Sequence, residues 1–393
     1  MAPPWERRSL DERLATLDAL ARACRAPHPH ALKDIAAASA LSPPMIAWGS
    51  QTTMDAWLLG ARPLLRQSAL AQARGPLWRP PTLCAHVWAS TLPTSGWIPV
   101  FGSLALGARA LIKAPAPVKP AADLLQDALA ALDPSLEDLI EVQSWTGGGP
   151  EDETLAQRAD ALIVSGGAQA IARYAALMAH KPHAPFLPFG PGWSLAAVPS
   201  KALSRPSAWP KLARALALDV AAYDQRGCLS PQALWLETHD EAQAARFCES
   251  LAQALDALAD TLPRGPLDAA THAALHQRLG SARVMGQVWE VRDGAVLLEP
   301  TPYRSDNPLA RTLPVHLYQG GAEGLARALG KTPPLHAIAV AGDATTRADH
   351  ARALQARGLH RACTPGTLQT PPATWRHDGY LWLAHLARFT DLR

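Results

Sequence analysis

Ala161-Leu-Ile-Val-Ser-Gly166-Gly167-Ala-Gln-Ala-Ile171 joins a short apolar run, a glycine pair and the beginning of a helical pattern. A buried strand that turns directly into a helix is the repeating unit of a parallel α/β sheet. Its glycines can also leave backbone amides accessible at the positive end of a helix, where the pyrophosphate of a dinucleotide can bind. The stretch predicts an α/β fold, with Ser165, Gly166 and Gly167 as candidate cofactor-binding residues. A simple turn is an equally good interpretation, because the full Gly-x-Gly-x-x-Gly pattern is absent.

Short apolar runs alternate with helical patterns upstream of this stretch. Strands are predicted at 83–88, 110–113 and 139–142, with helices between them. Strands that are separated by single helices indicate a doubly wound parallel sheet with right-handed crossovers. The third strand leads into Trp145-Thr-Gly147-Gly148-Gly149-Pro150 at what we expect to be the same sheet edge. Gly147 and Gly148 are therefore further candidates for cofactor binding.

The segment before these strands is predicted to be helical. Ser9-Leu-Asp-Glu12 is a capping-box pattern, which begins a helix that runs to about residue 24. Helical patterns also cover residues 30–74, with breaks expected at Ser42-Pro43-Pro44 and between Gly60 and Pro63.

A second α/β lobe is predicted where the alternation resumes, after about residue 195. Its predicted elements are helices 209–223, 240–262, 268–279, 322–329 and 344–357 and strands 232–237, 312–318 and 335–340. Asp293-Gly294 lies between two apolar runs and predicts a tight hairpin. Because 393 residues exceed what one core usually holds, we expect two doubly wound lobes with mostly parallel sheets and a cleft between them. The predicted domains are a cofactor-binding lobe with a helical N-terminal segment at 1–195, a catalytic lobe at 196–372 and a C-terminal segment at 373–393 that packs back on the body.

The second lobe contains another glycine-rich turn, Gln319-Gly320-Gly321-Ala-Glu-Gly324. It resembles a phosphate-binding loop at least as strongly as Gly166-Gly167 does. We interpret it as a structural turn.

Asp224-Gln225-Arg-Gly-Cys228-Leu-Ser230-Pro-Gln232 places one cysteine on a glycine-containing turn between a helical pattern and a short apolar strand. A thiol in that position has a fixed geometry and can face a cleft, and nucleophilic chemistry needs both exposure and a lowered thiol pKa. Cys228 is therefore a candidate nucleophile. Gln225, Ser230 and Gln232 can either contact a substrate or only hold the turn. The alternative is a buried cysteine without a chemical role, which is common in proteins.

The composition excludes several classes of protein. With 48% hydrophobic and 18% charged residues, the sequence is that of a soluble globular protein. A net charge of +3, spread over the helices, disfavours nucleic acid as a partner. Five cysteines without a Cys-x-x-Cys pair disfavour a zinc site and a disulfide framework, and no histidine spacing predicts a metal site. The absence of a long apolar run and of a signal-peptide core leads us to expect a cytoplasmic protein without a membrane span.

Several of these motifs together carry a resemblance. The order of Ala110-Leu-Ile-Lys113, Trp145 to Pro150, Val164 to Gly167 and the cysteine segment resembles the aldehyde dehydrogenase superfamily. Asp224-Gln225-x-x-Cys228-x-Ser230-Pro-Gln232 and His377-Asp378-Gly379 resemble, more narrowly, the LuxC-type acyl-CoA reductases. The resemblance covers roughly residues 80 to 393, and its cysteine motif is the specific part.

The resemblance implies a function and roles for particular residues. It implies that a fatty acyl thioester is reduced to the aldehyde through an acyl-enzyme on Cys228, with hydride from a nicotinamide cofactor. Lys113 matches the lysine that holds the adenosine ribose, and Gly166 and Gly167 match the turn beside the pyrophosphate. Ala116 stands where many NAD-preferring relatives have a glutamate, so we expect NADPH to be preferred over NADH.

Two departures from the superfamily pattern bear on the chemistry. The stretch Leu187 to Gly192 has no acid where hydrolytic relatives carry the glutamate that activates water, which favours reduction over hydrolysis. Thr91-Leu-Pro93 is the nearest match to the Asn-x-Pro segment whose asparagine holds the oxyanion. Thr91 can donate one hydrogen bond there, and the Cys228 amide can donate another.

His377-Asp378 has two interpretations. His377 is a proton donor or loop anchor at the active site, oriented by Asp378, or the pair is a polar turn before a last helix at 381–389.

Other functions stay open at this point. The protein can be a catalytically weak or inactive homologue that serves as a scaffold for an acyl-activating or acyl-transferring protein. It can also be an acylating dehydrogenase for a small aldehyde or an acyl phosphate. A homo-oligomer is expected, with the number of subunits open.

Overall fold

The protein folds as two compact units in a computed structural model, which describes residues 4–67, 77–299, 308–330 and 333–390. The first unit comprises residues 1–39, 46–191 and 370–393, and the second comprises 40–45 and 192–369. The sequence places the corresponding boundaries at 195 and 372.

A helical segment begins the first unit. Its helices are α1 (Leu10–Arg25), α2 (Pro29–Ser39) and α3 (Pro43–Gln67), although residues 43–45 at the start of α3 are assigned to the second unit. The capping box of α1 is confirmed, since the Ser9 side chain accepts from the Glu12 amide and Glu12 accepts from the Ser9 amide. The break predicted between Gly60 and Pro63 is wrong, because α3 continues through both residues. A Cβ at Gly60 would lie 2.9 Å from the Cβ of Ala373, so this glycine allows close packing instead of ending the helix. The part of the predicted helix at 68–74 lies outside the described residues.

A five-stranded parallel sheet forms the centre of the first unit. The helices and strands of this part of the chain are, in order, β1 (Leu77–Arg79), β2 (Leu83–Val87), α4 (Trp97–Ala105), β3 (Arg109–Lys113), α5 (Lys119–Leu132), β4 (Ile140–Gln143), α6 (Pro150–Arg158), β5 (Ala161–Ser165), α7 (Ala168–Met178) and β6 (Phe186–Phe189). The strands β2 to β6 form the sheet, and β1 lies outside it. The strand order is β4-β3-β2-β5-β6, and all four pairings are parallel. The direction of winding therefore reverses between β2 and β5, which confirms a doubly wound arrangement. Apolar residues of β2 and β5 pack with those of α6 and α7 in one buried cluster.

A seven-stranded sheet forms the centre of the second unit. The elements are β7 (Trp193–Val198), α8 (Ser200–Leu203), α9 (Trp209–Ala221), β8 (Pro231–Glu237), α10 (Glu241–Leu258), α11 (Ala269–Met285), β9 (Gln287–Val291), β10 (Gly294–Leu298), β11 (Thr312–Tyr318), α12 (Gly321–Ala328), β12 (Leu335–Val340), α13 (Ala344–Leu354) and β13 (Arg361–Cys363). The strand order is β13-β12-β7-β8-β11-β10-β9, and only β9 at the edge is antiparallel. The β9–β10 hairpin is confirmed, with Arg292 and Asp293 in its turn and Gly294 already in the strand.

The C-terminal segment differs from the predicted helix at 381–389. The helix α14 covers only Trp382–Leu386, and β14 (Arg388–Thr390) follows it. That strand pairs antiparallel with β1. Residues 388 and 389, which the sequence predicts to be helical, therefore belong to a strand. Among the described residues, no helix is long and apolar enough to cross a membrane.

Candidate active site

The carboxyl ends of β2, β3 and β5 meet at one edge of the first sheet. Lys113 is the last residue of β3 and Ser165 is the last residue of β5, while Thr91 follows β2. Since β2 lies between the other two strands and the winding reverses beside it, this edge is where open α/β sheets bind ligands.

Lys113 lies against the glycine turn that follows β4. Lys113 is only 8% exposed, and its Nζ lies 5.7 Å from the centroid of the Trp145 ring. A Cβ at Gly147 would be 3.4 Å from that Nζ. The structure therefore brings together Lys113 and Gly147, two of the residues that the sequence predicts to bind a cofactor. Gly148 follows with φ of +102°, a conformation that glycine adopts without strain.

Asp152 organises this turn, and the sequence interpretation did not identify it. Its carboxylate is 1% exposed and accepts hydrogen bonds from the Tyr174 hydroxyl at 2.6 Å and the Gly148 amide at 2.7 Å. It also accepts from the Trp145 Nε1 and the Arg173 Nε, each at 2.8 Å. Burial works to raise the pKa of Asp152, but these four hydrogen bonds outweigh it and lower the pKa to about 2. The only sequence signal was an acid two residues after Pro150, which is ordinary in the first turn of a helix.

The two glycines that follow β5 have different surroundings. The Gly166 amide donates to the Phe189 carbonyl at 3.1 Å, so the sheet uses it. Gly167 is the N-cap of α7, and a Cβ placed there would have no neighbour within 4 Å. Packing therefore does not require a glycine at 167, because the space that its side chain would take is open. A small residue at the positive end of a helix allows an anion to approach the backbone.

His377 and Thr91 lie in the first unit as well. The His377 ring stacks between Phe189 and Trp375, with centroid distances of 4.0 Å and 4.4 Å. Its Nε2 lies 3.8 Å from the Asp378 Oδ1, and Asp378 has φ of +50°. Since Phe189 pairs with Ser165, the stack lies at the same sheet edge as the glycine pair. Thr91 is exposed in the bend before α4.

Cys228 lies in the second unit on a turn between α9 and β8. The Ser230 amide donates to the Gly227 carbonyl at 2.9 Å, and the Gly227 amide donates to the Ser230 Oγ at 3.0 Å. The Ser194 Oγ donates to the carbonyl of Cys228 itself at 2.7 Å. The turn is thus held on both sides of the cysteine, while the cysteine stays partly exposed.

Buried polar groups support the chain just before this turn. Asp224 accepts from the Arg311 Nε at 2.9 Å and from the Gly265 amide at 3.0 Å. All three residues are buried in the second unit. Gln225 is fully buried, and its Nε2 donates to the carbonyls of Pro231 and Thr312 at 2.8 Å and 3.2 Å. These contacts assign Gln225 to holding the turn.

The five cysteines differ in accessibility. Cys24, Cys84 and Cys248 are buried, and burial raises the pKa of Cys24 to about 12 and raises the pKa values of the other two still further. Cys228 and Cys363 are partly exposed, and burial raises the pKa of the Cys363 thiol. Only Cys228 of these two lies on a turn fixed by two serines.

The glycine turn at 320–324 binds a carboxylate of the protein. The Gly321 amide donates to the Glu237 Oε1 at 2.7 Å, and the other oxygen of Glu237 accepts from the Ser200 amide at 2.9 Å. An anion of the chain itself therefore occupies the amino end of α12, as expected for a structural turn. No group of three or more potential metal ligands occurs among the described residues.

Comparison with known proteins identifies the architecture and the family. The family model described as acyl-CoA reductase (LuxC) matches residues 30–389. No curated protein matches the sequence. Among solved structures, an oxidoreductase from Marinobacter aquaeolei is similar with a TM-score of 0.77 and 14% identity, over 98% of this chain and 86% of that chain.

Two further structures have the same fold. Aldehyde dehydrogenase 21 from Physcomitrella patens, in complex with succinate, gives a TM-score of 0.73 and 11% identity over 100% of this chain and 87% of that chain. The gamma-glutamyl-gamma-aminobutyraldehyde dehydrogenase from Burkholderia cenocepacia J2315 gives a TM-score of 0.71 and 16% identity over 92% and 77%. At these identities the likeness concerns the fold, which is that of the aldehyde dehydrogenase superfamily.

Proposed function

The chain belongs to the LuxC family of acyl-CoA reductases, and from that membership we propose that it reduces a fatty acyl thioester to the aldehyde through an acyl-enzyme on Cys228. The observation that carries this proposal is the cysteine turn. A partly exposed thiol stands on a turn that Ser194 and Ser230 fix on both sides. Such support suits a nucleophile that must meet a carbonyl carbon in one orientation.

The first step transfers the acyl group. The Cys228 thiolate attacks the thioester carbonyl, a new carbon–sulfur bond forms and the thiolate of the acyl donor leaves. Oxyanion charge develops on the carbonyl oxygen, and the Thr91 hydroxyl and the Cys228 amide are its proposed donors. No acid lies in the stretch 187–192 to activate water, so the acyl-enzyme persists until it is reduced.

The second step releases the aldehyde. A nicotinamide cofactor, when bound, would supply hydride to the acyl carbon. The resulting thiohemiacetal anion takes one proton on oxygen. That proton leaves again as the carbon–oxygen double bond re-forms and the carbon–sulfur bond breaks, which releases the aldehyde and returns Cys228 as the thiolate. His377 is the proposed proton donor or loop anchor, because its stack on Phe189 holds it at the sheet edge of the glycine pair.

The first unit is proposed to hold the cofactor. Lys113 would bind the adenosine ribose, while Gly147, Gly148, Ser165, Gly166 and Gly167 would form the surface around the pyrophosphate. Ala116 places no carboxylate against a 2′-phosphate, so NADPH is the proposed cofactor, with NADH as a second choice.

Intact-mass spectrometry tests the proposal. The protein is incubated with acyl-CoAs of different chain length, and NADPH is then added while aldehyde is measured. We expect an acyl adduct that maps to Cys228 and disappears with NADPH. Cys228→Ala should abolish both signals, and Cys363→Ala, at the other partly exposed cysteine, should change neither. An unmodified but folded wild-type protein with every donor would instead support a scaffold in an acyl-processing complex.

A further inference from the structure

Gln369 contacts the cysteine turn from a distant part of the chain. Its Nε2 donates to the Ser230 Oγ at 2.6 Å across 139 residues of sequence. Gln369 is 9% exposed and Ser230 is fully buried. The same Ser230 oxygen accepts the Gly227 amide at 3.0 Å, so one hydroxyl joins Gln369 to the residue before Cys228.

The loop that carries Gln369 is itself fixed to α9. Asp219 on that helix is 1% exposed and accepts from the amides of Gly366 and Leu368 at 2.6 Å and 2.9 Å. A Cβ at Gly366, which has φ of +85°, would lie 3.1 Å from the Cβ of Ala215, so the loop backbone also packs closely on α9. Because α9 leads directly into the cysteine segment, both ends of the Gln369 contact are anchored to the same helix.

This arrangement restrains the Cys228 backbone from two directions. Ser194 holds the carbonyl of Cys228, while Gln369 holds Ser230 and, through it, the Gly227 amide. A rotation of the turn that moved the thiol would have to break a buried hydrogen bond at Ser230. Buried donors that lose their acceptor are costly, so the turn stays in one conformation.

We propose that Gln369 is a positioning residue for Cys228, acting through the Ser230 hydroxyl. The inference rests on the proposed function in one respect, since it takes Cys228 as the nucleophile. It concerns the orientation and reactivity of that thiol and does not depend on which acyl donor the protein uses.

Alkylation of Cys228 by iodoacetamide, followed by mass mapping of the modified peptide, tests the proposal without an acyl substrate. Gln369→Met keeps the volume of the side chain and removes its donor. We expect the alkylation rate at Cys228 to change by about tenfold, the scale of one lost hydrogen bond. Gln277→Met, at an exposed glutamine of the same unit, should leave the rate unchanged.

A double-mutant cycle with Ser230→Ala distinguishes the route. If Gln369 acts through Ser230, the double variant should alkylate at the rate of Ser230→Ala alone. Where acyl-CoA is turned over, kcat should fall in the single variants while the KM for NADPH stays unchanged. Independent, multiplying effects of the two substitutions would overturn the proposal.

Two other outcomes separate the possibilities. A lower melting temperature of Gln369→Met with unchanged alkylation and kcat would show that the residue only stabilises the fold, and would overturn the proposal.

If Gln369→Met does not fold, two other variants test the same contact. Gln369→Glu can still form a hydrogen bond with the Ser230 hydroxyl, whereas Gln369→Asn is one methylene too short. We then expect a wild-type alkylation rate in the first and a changed rate in the second, and equal rates would overturn the proposal. Aldehyde formation that survives Cys228→Ala would refute the proposed function instead, while the alkylation result would still decide the role of Gln369.

Discussion

Three consecutive residues before the turn that carries Cys228 have positive φ: Tyr223 has 52°, Asp224 has 53° and Gln225 has 64°. Non-glycine residues rarely adopt this conformation, and each such residue costs free energy that its surroundings must offset. Here the offset comes from buried polar contacts, above all the pair of Asp224 with Arg311, which is completely buried. The buried ion pair therefore stabilises the strained backbone of the segment that leads into the Cys228 turn.

Removing one partner of this pair should destabilise the protein. Arg311→Met leaves a buried carboxylate without its main counter-charge, and we expect the free energy of unfolding to fall by about 3–5 kcal/mol. Asp224→Asn combined with Arg311→Met removes both charges of this buried pair, and asparagine tolerates positive φ. The double variant should therefore be more stable than Arg311→Met alone, as measured by urea unfolding. A double variant that is less stable than the single one would contradict this account.

The Thr91 hydroxyl provides a second test at the scale of one residue. If it donates to the oxyanion, Thr91→Val should lower kcat by about 10² to 10³, the usual effect of one lost oxyanion donor. Thr91→Ser keeps the hydroxyl and should retain most of the activity. Comparing the two variants therefore separates the effect of the lost hydrogen bond from the effect of a changed side-chain shape. Equal kcat values for the two variants would rule out the hydroxyl as a donor.

At the scale of elements, the strands and helices with strong periodicity were predictable. Strands 312–318 and 335–340 were predicted with the bounds that the structure has. The strand β6 was not predicted, and its Pro188 is tolerated because β6 is at the edge of its sheet. The contact of Gln369 with Ser230 was not predictable, because it joins residues 139 apart in sequence through side chains with no motif. The same holds for the contacts of Asp152 with Arg173 and Tyr174, which are 21 and 22 residues away.

The turn between β4 and α6 should respond to acid through Asp152. Its pKa is lowered to about 2, below the value near 3.9 of an unfolded chain, so its contribution to stability is present above about pH 4. That contribution is lost as the pH falls towards 2, and it amounts to about 2–3 kcal/mol. Asp152→Asn has no such titration, so its unfolding free energy should decrease less between pH 5 and pH 2. Parallel pH profiles of the two proteins, measured by tryptophan fluorescence in urea, would contradict the role given to this carboxylate.

At the scale of the whole molecule, the candidate groups divide between the two units. Lys113 and the glycine turns belong to the first unit, and Cys228 with its supporting serines belongs to the second. The alternation of strands and helices was enough to predict two α/β lobes, whereas the aldehyde dehydrogenase type followed only from the resemblance of the Lys113, glycine and Cys228 motifs. The assignment of residues 40–45 to the second unit was not predicted, because it depends on contacts such as that of Arg226 with the Ala40 carbonyl.

This division predicts that acylation and reduction can be separated by substitution. Lys113→Met removes the charge beside Trp145 and Gly147, and it should raise the KM for NADPH by about tenfold or more, the scale of a lost charge-assisted hydrogen bond. The acyl adduct on Cys228 should form at the wild-type rate, because its chemistry depends on groups of the second unit and on Thr91. Lys119→Met, at a half-exposed lysine that pairs with Asp123 on α5, serves as the matched control and should change neither step. Stopped-flow acylation and steady-state aldehyde formation measure the two steps separately. A Lys113→Met protein that loses the adduct while it remains folded would show that the lysine serves the acyl group, and the assignment of the cofactor to this sheet edge would then be wrong.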